Sequence, residues 1–368
     1  MPATSRLLLG GAAVLALAVS GCATPVSGTP VAASNVKTTT AKPTTSTRPG
    51  QAPEPDTGSE TAVALMRKIQ AGDVCALHDE SFLKKFGSKV IRTPGPGFHG
   101  CTGIGGEPNG QHFWLFELKV GEPYRPSTRE PDKVEQVGGR DVFFPKAEAV
   151  NGVEDTCYAK TKLAGTDFVL SLRARMVPNQ GQPAPWPERC QEAGAYAALL
   201  GPRADDLPAR TGGEPESRLL GKDPCAKKDQ IVALYPDWQL ESSGYLSPYD
   251  CQLKFGQADK PLQLVLTLAW DRDDEPSDKT FGDQRLDKID VGGFPGQRLS
   301  SAGKGSGGSC KNTLVVKPGQ KDVKFSAHLV RVGADTSRNF KKPASQEPIP
   351  APDCAQVDQA TQLVVSGI

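Results

Sequence analysis

Residues 223–251 read DPCAKKDQIVALYPDWQLESSGYLSPYDC, and residues 73–101 read DVCALHDESFLKKFGSKVIRTPGPGFHGC. Each stretch opens on an aspartate, places a cysteine two positions on, and closes on a second cysteine 26 residues after the first; the two are offset by 150 residues. The correspondence extends outward. An apolar alternation (Leu262, Leu264, Leu266, Leu268, Trp270) starts 11 residues after Cys251, and His112 starts another, with Trp114, Phe116, Leu118 and Val120, 11 residues after Cys101. Val137-Gly138-Gly139 precedes Cys157 as Val291-Gly292-Gly293 precedes Cys310, and a last cysteine, Cys190 or Cys354, opens a helical pattern. The chain therefore reads as two diverged copies of one disulfide domain, residues 59–201 and 218–368, joined by a linker at 202–217.

Composition sets bounds on partners. With 43 basic and 42 acidic residues the net charge is +1, so no summed field draws the 368-residue chain to nucleic acid or to an anionic surface. Glycine (39) and proline (32) are abundant and aromatics make up 6%, which implies long connections and modest cores that lean on crosslinks. Of nine cysteines, Cys22 stands apart and eight divide four and four between the copies. Four cysteines allow three pairings. The spacing shared by Cys75/Cys101 and Cys225/Cys251 favours first-to-second and third-to-fourth: Cys75–Cys101, Cys157–Cys190, Cys225–Cys251 and Cys310–Cys354. Closing a loop of about 27 residues stabilises by ~3.5 kcal/mol in the chain-entropy picture.

The amino terminus reads as targeting sequence. Arg6 supplies a positive start and residues 7–19 an apolar run of 13, too short to span a bilayer as a mature helix. Val19-Ser20-Gly21-Cys22 resembles the bacterial lipoprotein signal, in which small residues precede a cysteine whose thiol takes a diacylglyceryl group and becomes the mature N-terminus. Cys22 is thus the expected lipidation site, and the membrane the partner that the lipid implies, at the outer face of the cytoplasmic membrane. Residues 23–58, rich in threonine and proline and without aromatics, read as a disordered tether.

Inside the copies, Ala62, Leu65, Met66 and Ile69 recur at helical spacing, and Phe82, Leu83 and Phe86 extend a further helix to Gly87. Residues 112–120, 166–177, 262–270 and 323–332 alternate as strands. Ala193, Tyr196, Ala197 and Leu200 mark a closing helix that stops at Gly201-Pro202, and Val357, Ala360, Thr361 and Val364 mark its counterpart. Asp223 is placed to cap a helix with Pro224 at its first position and Ile231, Leu234 and Tyr235 on its buried stripe. Helices flanking a run of strands imply an α+β domain, an antiparallel sheet with helices against one face, in two tandem repeats.

The chemistry found in the sequence is mostly negative. Residues 303–308 spell G-x-G-x-x-G, but strand-like residues follow where a dinucleotide site needs a helix. His78, His99, His112 and His328 fall in no metal or nucleophile frame and read as surface or strand histidines. Asp271, Asp273, Asp274 and Glu275 form a dense acidic cluster, with Pro276 and Gly282 where an EF-hand needs glycine and glutamate; it reads as a solvated turn. Trp114 and Trp270 read as core. No catalytic residue, cofactor site or metal site is assigned.

With these motifs placed, the chain resembles an actinobacterial secreted lipoprotein family that carries a duplicated Asp-Pro-Cys-type disulfide domain of unknown function. The residues that carry the resemblance are Val19-Ser20-Gly21-Cys22, the threonine-rich tether, Asp223-Pro224-Cys225-Ala226, and the cysteine before a strand, Cys251 or Cys101. Val74 departs from the pattern where proline is expected. The family is similar to extracytoplasmic sensor domains of receptor kinases, which implies curved antiparallel sheets with flanking helices and two disulfides per copy. The expected function is a membrane-anchored, non-enzymatic envelope protein that binds an envelope protein or a small-molecule or lipid ligand, with no nucleic acid involved. An envelope hydrolase acting on lipid or peptidoglycan, or an envelope lipid carrier, is the alternative.

Overall fold

The alternations at 112–120 and 262–270 form long central strands, β3 (His112–Pro123) and β10 (Lys260–Asp271), in a computed structural model of the chain. Trp114, Phe116, Leu118 and Val120 turn inward and are buried, while Leu115, Glu117 and Lys119 between them point outward. A side chain of that size contributes roughly 1.5–3 kcal/mol when fully buried, so the alternate positions dictate which face of the strand becomes core. The structure describes residues 55–95, 97–107, 112–126, 132–145, 156–178, 186–210, 217–257, 260–271, 284–302, 307–318, 327–336 and 351–368. All of them lie in one unit spanning residues 49–368.

Two seven-stranded antiparallel sheets result. The first contains β1 (Val90–Pro94), β2 (Gly100–Gly106), β3, β4 (Lys133–Val137), β5 (Arg140–Phe144), β6 (Thr156–Lys162) and β7 (Phe168–Pro178), in the spatial order β1-β2-β3-β7-β6-β5-β4. The second contains β8 (Gln239–Ser247), β9 (Asp250–Gln257), β10, β11 (Gln284–Val291), β12 (Phe294–Ser301), β13 (Ser309–Lys317) and β14 (Ala327–Asp335), in the order β11-β12-β13-β14-β10-β9-β8. By rank within each copy the two orders are the same: three strands meander, the chain crosses to the far edge, and four strands meander back to close beside the third. The V-G-G motifs are the hairpin turns at that far edge. Gly138 and Gly139 have φ of 58° and 80°, and Gly292 and Gly293 have 66° and 82°, a left-handed pair that two-residue hairpins need and side chains resist.

Helical segments cover one face of each sheet, and disulfides hold them there. Asp73 Oδ1 accepts from the N–H groups of Cys75 and Ala76, and Asp223 Oδ1 accepts from Cys225 N–H, so in both copies the aspartate folds a tight turn that presents the cysteine to the second strand. Cys75–Cys101 and Cys225–Cys251 close across it. Cys157–Cys190 and Cys310–Cys354 fasten the sixth strand of each copy to the closing helices α3 (Trp186–Asp205) and α5 (Cys354–Val365). Four such bonds belong to a protein folded in an oxidising compartment outside the cytoplasm.

The copies differ beneath the closing helix. Under α3 the inward residue two after Cys157 is Ala159, whereas two after Cys310 stands Asn312, fully buried. Its Nδ2 donates to Asp358 Oδ1 (2.8 Å) and Thr361 Oγ1 (3.0 Å) of α5, and Arg298 pairs with the same Asp358. The second copy thus seats its helix through a polar network where the first uses apolar packing.

Several expectations need correction. The chain is mostly sheet rather than a balanced α+β fold, because the helical segments of the copies are few and often short. The helix expected through Phe86 is broken into a 3-10 turn at Val74–Leu77, α2 (Glu80–Leu83) and another 3-10 turn at Lys84–Phe86. Asp79 interrupts it by capping Phe82 N–H with its own side chain (2.8 Å). Asp223 and Pro224 form turns rather than a helix start, and α4 runs only from Lys228 to Val232. Finally α3 does not stop at Gly201-Pro202 but continues to Asp205; Ala204 and Leu207 are buried, and the next residues return to pair with the first copy, Asp73 N–H donating to Pro208 O (2.8 Å) and Arg210 N–H to Ala71 O (3.0 Å).

The two copies share a seam, built around helix α1 (Glu60–Ala71) and β8. Each lends an aromatic residue to the other. Phe98, from the β1–β2 loop, is buried in the core of the second copy, and Tyr245 of β8 is buried in the core of the first. Gln70 at the end of α1 donates from Nε2 to Pro248 O (2.6 Å), and its own carbonyl accepts from Tyr249 OH (3.1 Å). Gly121 matters at this seam: a Cβ there would sit 2.7 Å from Ile69 and 2.8 Å from Pro248.

Candidate functional site

A polar cleft of about 730 Å³ lies beside the β6–β7 turn of the first copy. Arg140, Lys162, Thr166, Asp167, Asp56 and Ser59 line it over a floor that includes Phe168. Arg140 opens β5 and crosses α3 where the helix has Gly201. A Cβ at that position would lie 2.7 Å from Arg140 Nη1, so the guanidinium packs directly on the bare glycine on its way to Asp205. Arg140 Nη2 donates to Asp205 Oδ2 (2.5 Å), and Asp205 Oδ1 accepts from Ala164 N–H (2.7 Å), which fixes the β6–β7 turn against the end of α3. Lys162 Nζ donates to Asp167 Oδ1 (2.7 Å) across the hairpin. Thr166 Oγ1 donates to Leu163 O and accepts from Phe168 N–H, and Gly165, with φ of 70°, completes the turn.

The cations of this cleft are therefore already paired. Side chains that are one-fifth to one-quarter exposed, as Asp205 and Arg140 are, keep part of their hydration, and such a pair contributes on the order of 1 kcal/mol or less. Its chemical capacity is donation and acceptance of hydrogen bonds to a polar ligand. Among its described residues no nucleophile is paired with a base.

His112 and His328 lie on strands β3 and β14, as the sequence reading allowed, and the side chain of His112 lies outside the described residues. His78 and His99 depart from that reading, since both are buried in turns between elements. His78 is held at both nitrogens: Nε2 lies 3.3 Å from Cys101 O and Nδ1 lies 3.0 Å from Tyr196 OH. A carbonyl can only accept, so Nε2 carries the proton, Nδ1 accepts from the Tyr196 hydroxyl, and that oxygen accepts in turn from Asp79 N–H (2.9 Å). Burial pushes the His78 imidazole down to about 4, and burial likewise raises the Tyr196 phenol. His328 sits on β14 against Phe98, also pushed down to about 4 by burial. His99 belongs to the seam between the copies.

Among the described residues no three His, Cys, Asp or Glu side chains converge as metal ligands, and no helix is long and apolar enough to cross a membrane. Cys22 and its flanking residues, residues 303–306 of the glycine motif, and the acidic cluster beyond Asp271 lie outside the described residues. Gly307 and Gly308 of that motif lead directly into strand β13. Trp114 is buried against Phe116 and Phe86, as core; the side chain of Trp270 is outside the described residues. Arg140, Asp205 and Gln70 carried no signal in sequence, because Arg140 and Asp205 meet across 65 residues and Gln70 meets Pro248 across 178.

No family model and no curated protein matches the sequence. Among solved structures the chain is similar to the di-domain ARO/CYC StfQ from the steffimycin biosynthetic pathway, at 9% identity over 80% of this chain and 91% of that one, with a TM-score of 0.15. It is also similar to DynU16 from the dynemicin biosynthetic locus, at 12% identity over 82% and 93% of the two chains, with a TM-score of 0.14. Overlaps this low assign neither fold nor function.

Proposed function

We propose that this chain is a lipid-anchored protein of the bacterial envelope whose tandem domains, products of a duplication, bind a partner protein or a small ligand outside the membrane without catalysis. Cys22 takes the lipid, the stretch 23–58 acts as the tether up to Asp56 and Thr57, which already contact the folded part, and the folded part stands off the membrane surface. With a coil-like tether of 36 residues the end-to-end reach is ~35 Å, and in an extended polyproline form ~110 Å. The resemblance to receptor-kinase sensor domains belongs to the same reading, with each sheet curved around its helices.

The observation that carries binding over catalysis is the state of the cleft at Arg140 and Lys162. It is open and polar, its cations Arg140 and Lys162 are held in ion pairs, and no histidine lines it. A site of this kind recognises by hydrogen bonds and does not activate a nucleophile. Cys22→Ala is expected to move the protein from the detergent-soluble membrane fraction to the soluble fraction, and a mutant still requiring detergent would refute the anchor. For binding, crosslinking in cells followed by purification is expected to recover a partner with the native chain and to lose it with Arg140→Ala plus Lys162→Ala. Turnover of fluorophosphonate or glycan substrates by the purified protein would replace this reading with a hydrolase.

A further inference from the structure

The seam between the copies buries a histidine in an unusual state. His99 follows Phe98 in the β1–β2 loop and is 7% exposed, yet neither Nδ1 nor Nε2 has a hydrogen-bond partner. Its ring faces Tyr249 of the second copy, with centroids 6.4 Å apart. The loop is held from behind, since His99 O accepts from Val120 N–H (3.1 Å), and Gly97, at φ of 77°, leaves room for the ring where a Cβ would come within 3.1 Å. The charged groups around it come from both copies: Glu122 and Lys119 from β3, and Asp250 from β9.

A neutral imidazole always carries one N–H, so this arrangement leaves a donor and an acceptor dry in the closed seam. Burying polar groups without partners is unfavourable, and burying a charged one is more so. Separation of the copies rehydrates the ring while leaving each sheet intact. Protonation adds a second N–H and a charge in a place that solvates neither. Glu122 and Asp250 attract that charge and Lys119 repels it, but desolvation is the larger influence, and it holds the imidazole in the neutral form below its usual range.

We propose that the seam is an acid-released latch whose trigger is His99: protonation of its ring from solvent drives the two copies apart and uncovers Phe98 and Tyr249. The sign follows from linkage. A group depressed in the closed form stabilises that form above the ordinary histidine value of ~6.5, and this stabilisation is lost as pH falls below it, the open form gaining about tenfold for each pH unit. The effect stops growing once pH reaches the depressed value.

The test is native-state hydrogen exchange on the full chain between pH 7.5 and 5. The reporter is Tyr245 N–H of β8, which donates to Thr57 O (3.1 Å) in the segment that leads into α1. Its protection factor is expected to fall more steeply in the native chain than in His99→Phe, by one additional tenfold step for each pH unit below 6.5. Equal slopes in the two proteins overturn the latch. Should His99→Phe fail to fold, deuterium exchange at the His99 Cε1–H of the native chain decides instead: titration below 6.5 supports the trigger, and titration at or above 6.5 overturns it.

Discussion

Phe98→Ala tests whether the two copies form one structure. The side chain is 3% exposed and lies in the core of the copy to which it does not belong, its ring centroid 5.2 Å from Tyr249 and 5.6 Å from His328. Truncating a buried phenylalanine to alanine costs ~3–5 kcal/mol, the lost transfer energy plus the cavity left behind. A loss of about 4 kcal/mol is roughly three tenfold steps in the folding equilibrium. The loss falls on the second copy, although the mutated residue is in the first. Urea denaturation with amide exchange read separately at β3 and β10 is the assay. The native chain is expected to lose both sheets together, and Phe98→Ala to lose protection at β10 at a lower urea concentration while β3 persists. A shift below about 0.5 kcal/mol, the range of ordinary surface substitutions, would show that Phe98 packs on nothing of consequence. Loss of protection at β3 with β10 unchanged would show that the ring serves its own copy and not the other.

Further expectations concern groups within single copies. His78 has an imidazole depressed to about 4 against 6.5 when unfolded, so its contribution is complete above pH 6.5 and lost as pH falls toward 4, a change of ~3 kcal/mol. His328 acts in the same direction over the same window. Urea midpoints from pH 7 to 4 are expected to fall less steeply in His78→Gln than in the native chain, and identical curves would contradict a buried ring held neutral by desolvation. Asn312→Ala removes the donor to Asp358 and to the buried Thr361 hydroxyl and leaves a cavity under α5, and is expected to cost ~1–3 kcal/mol in thermal or urea unfolding. A cost near zero would mean that alanine serves under α5 as well as Ala159 does under α3.

Local chemistry explains what was legible in the chain. The alternation at 112–120 is period two and confined to one strand, so the positions that turn inward could be read without knowing their partners. The V-G-G motifs are legible for the same reason, since two consecutive left-handed residues select glycine wherever they occur. Gly201-Pro202 misled because the same rule was applied where tertiary contacts override it. The glycine makes room for Arg140, and burial of Leu200 and Ala204 carries α3 across the proline. The break in the helix before Phe82 went unread because His78 and Asp79 are each claimed by Tyr196, 118 and 117 residues later. Nothing local marks Phe98 as core; only the second sheet makes it so.

From sequence alone came the spacing of the eight cysteines, the repeated order of turns and strands, and the faces of the central strands, because each depends on neighbours within a few residues or on counting along the chain. Tertiary structure alone decided that Cα atoms of each bonded pair come to 5.1–5.6 Å, that Arg140 meets Asp205, and that each copy completes the other's core. Those facts depend on where two distant surfaces meet, and the shape of a surface is a sum over the whole fold that no window of sequence contains.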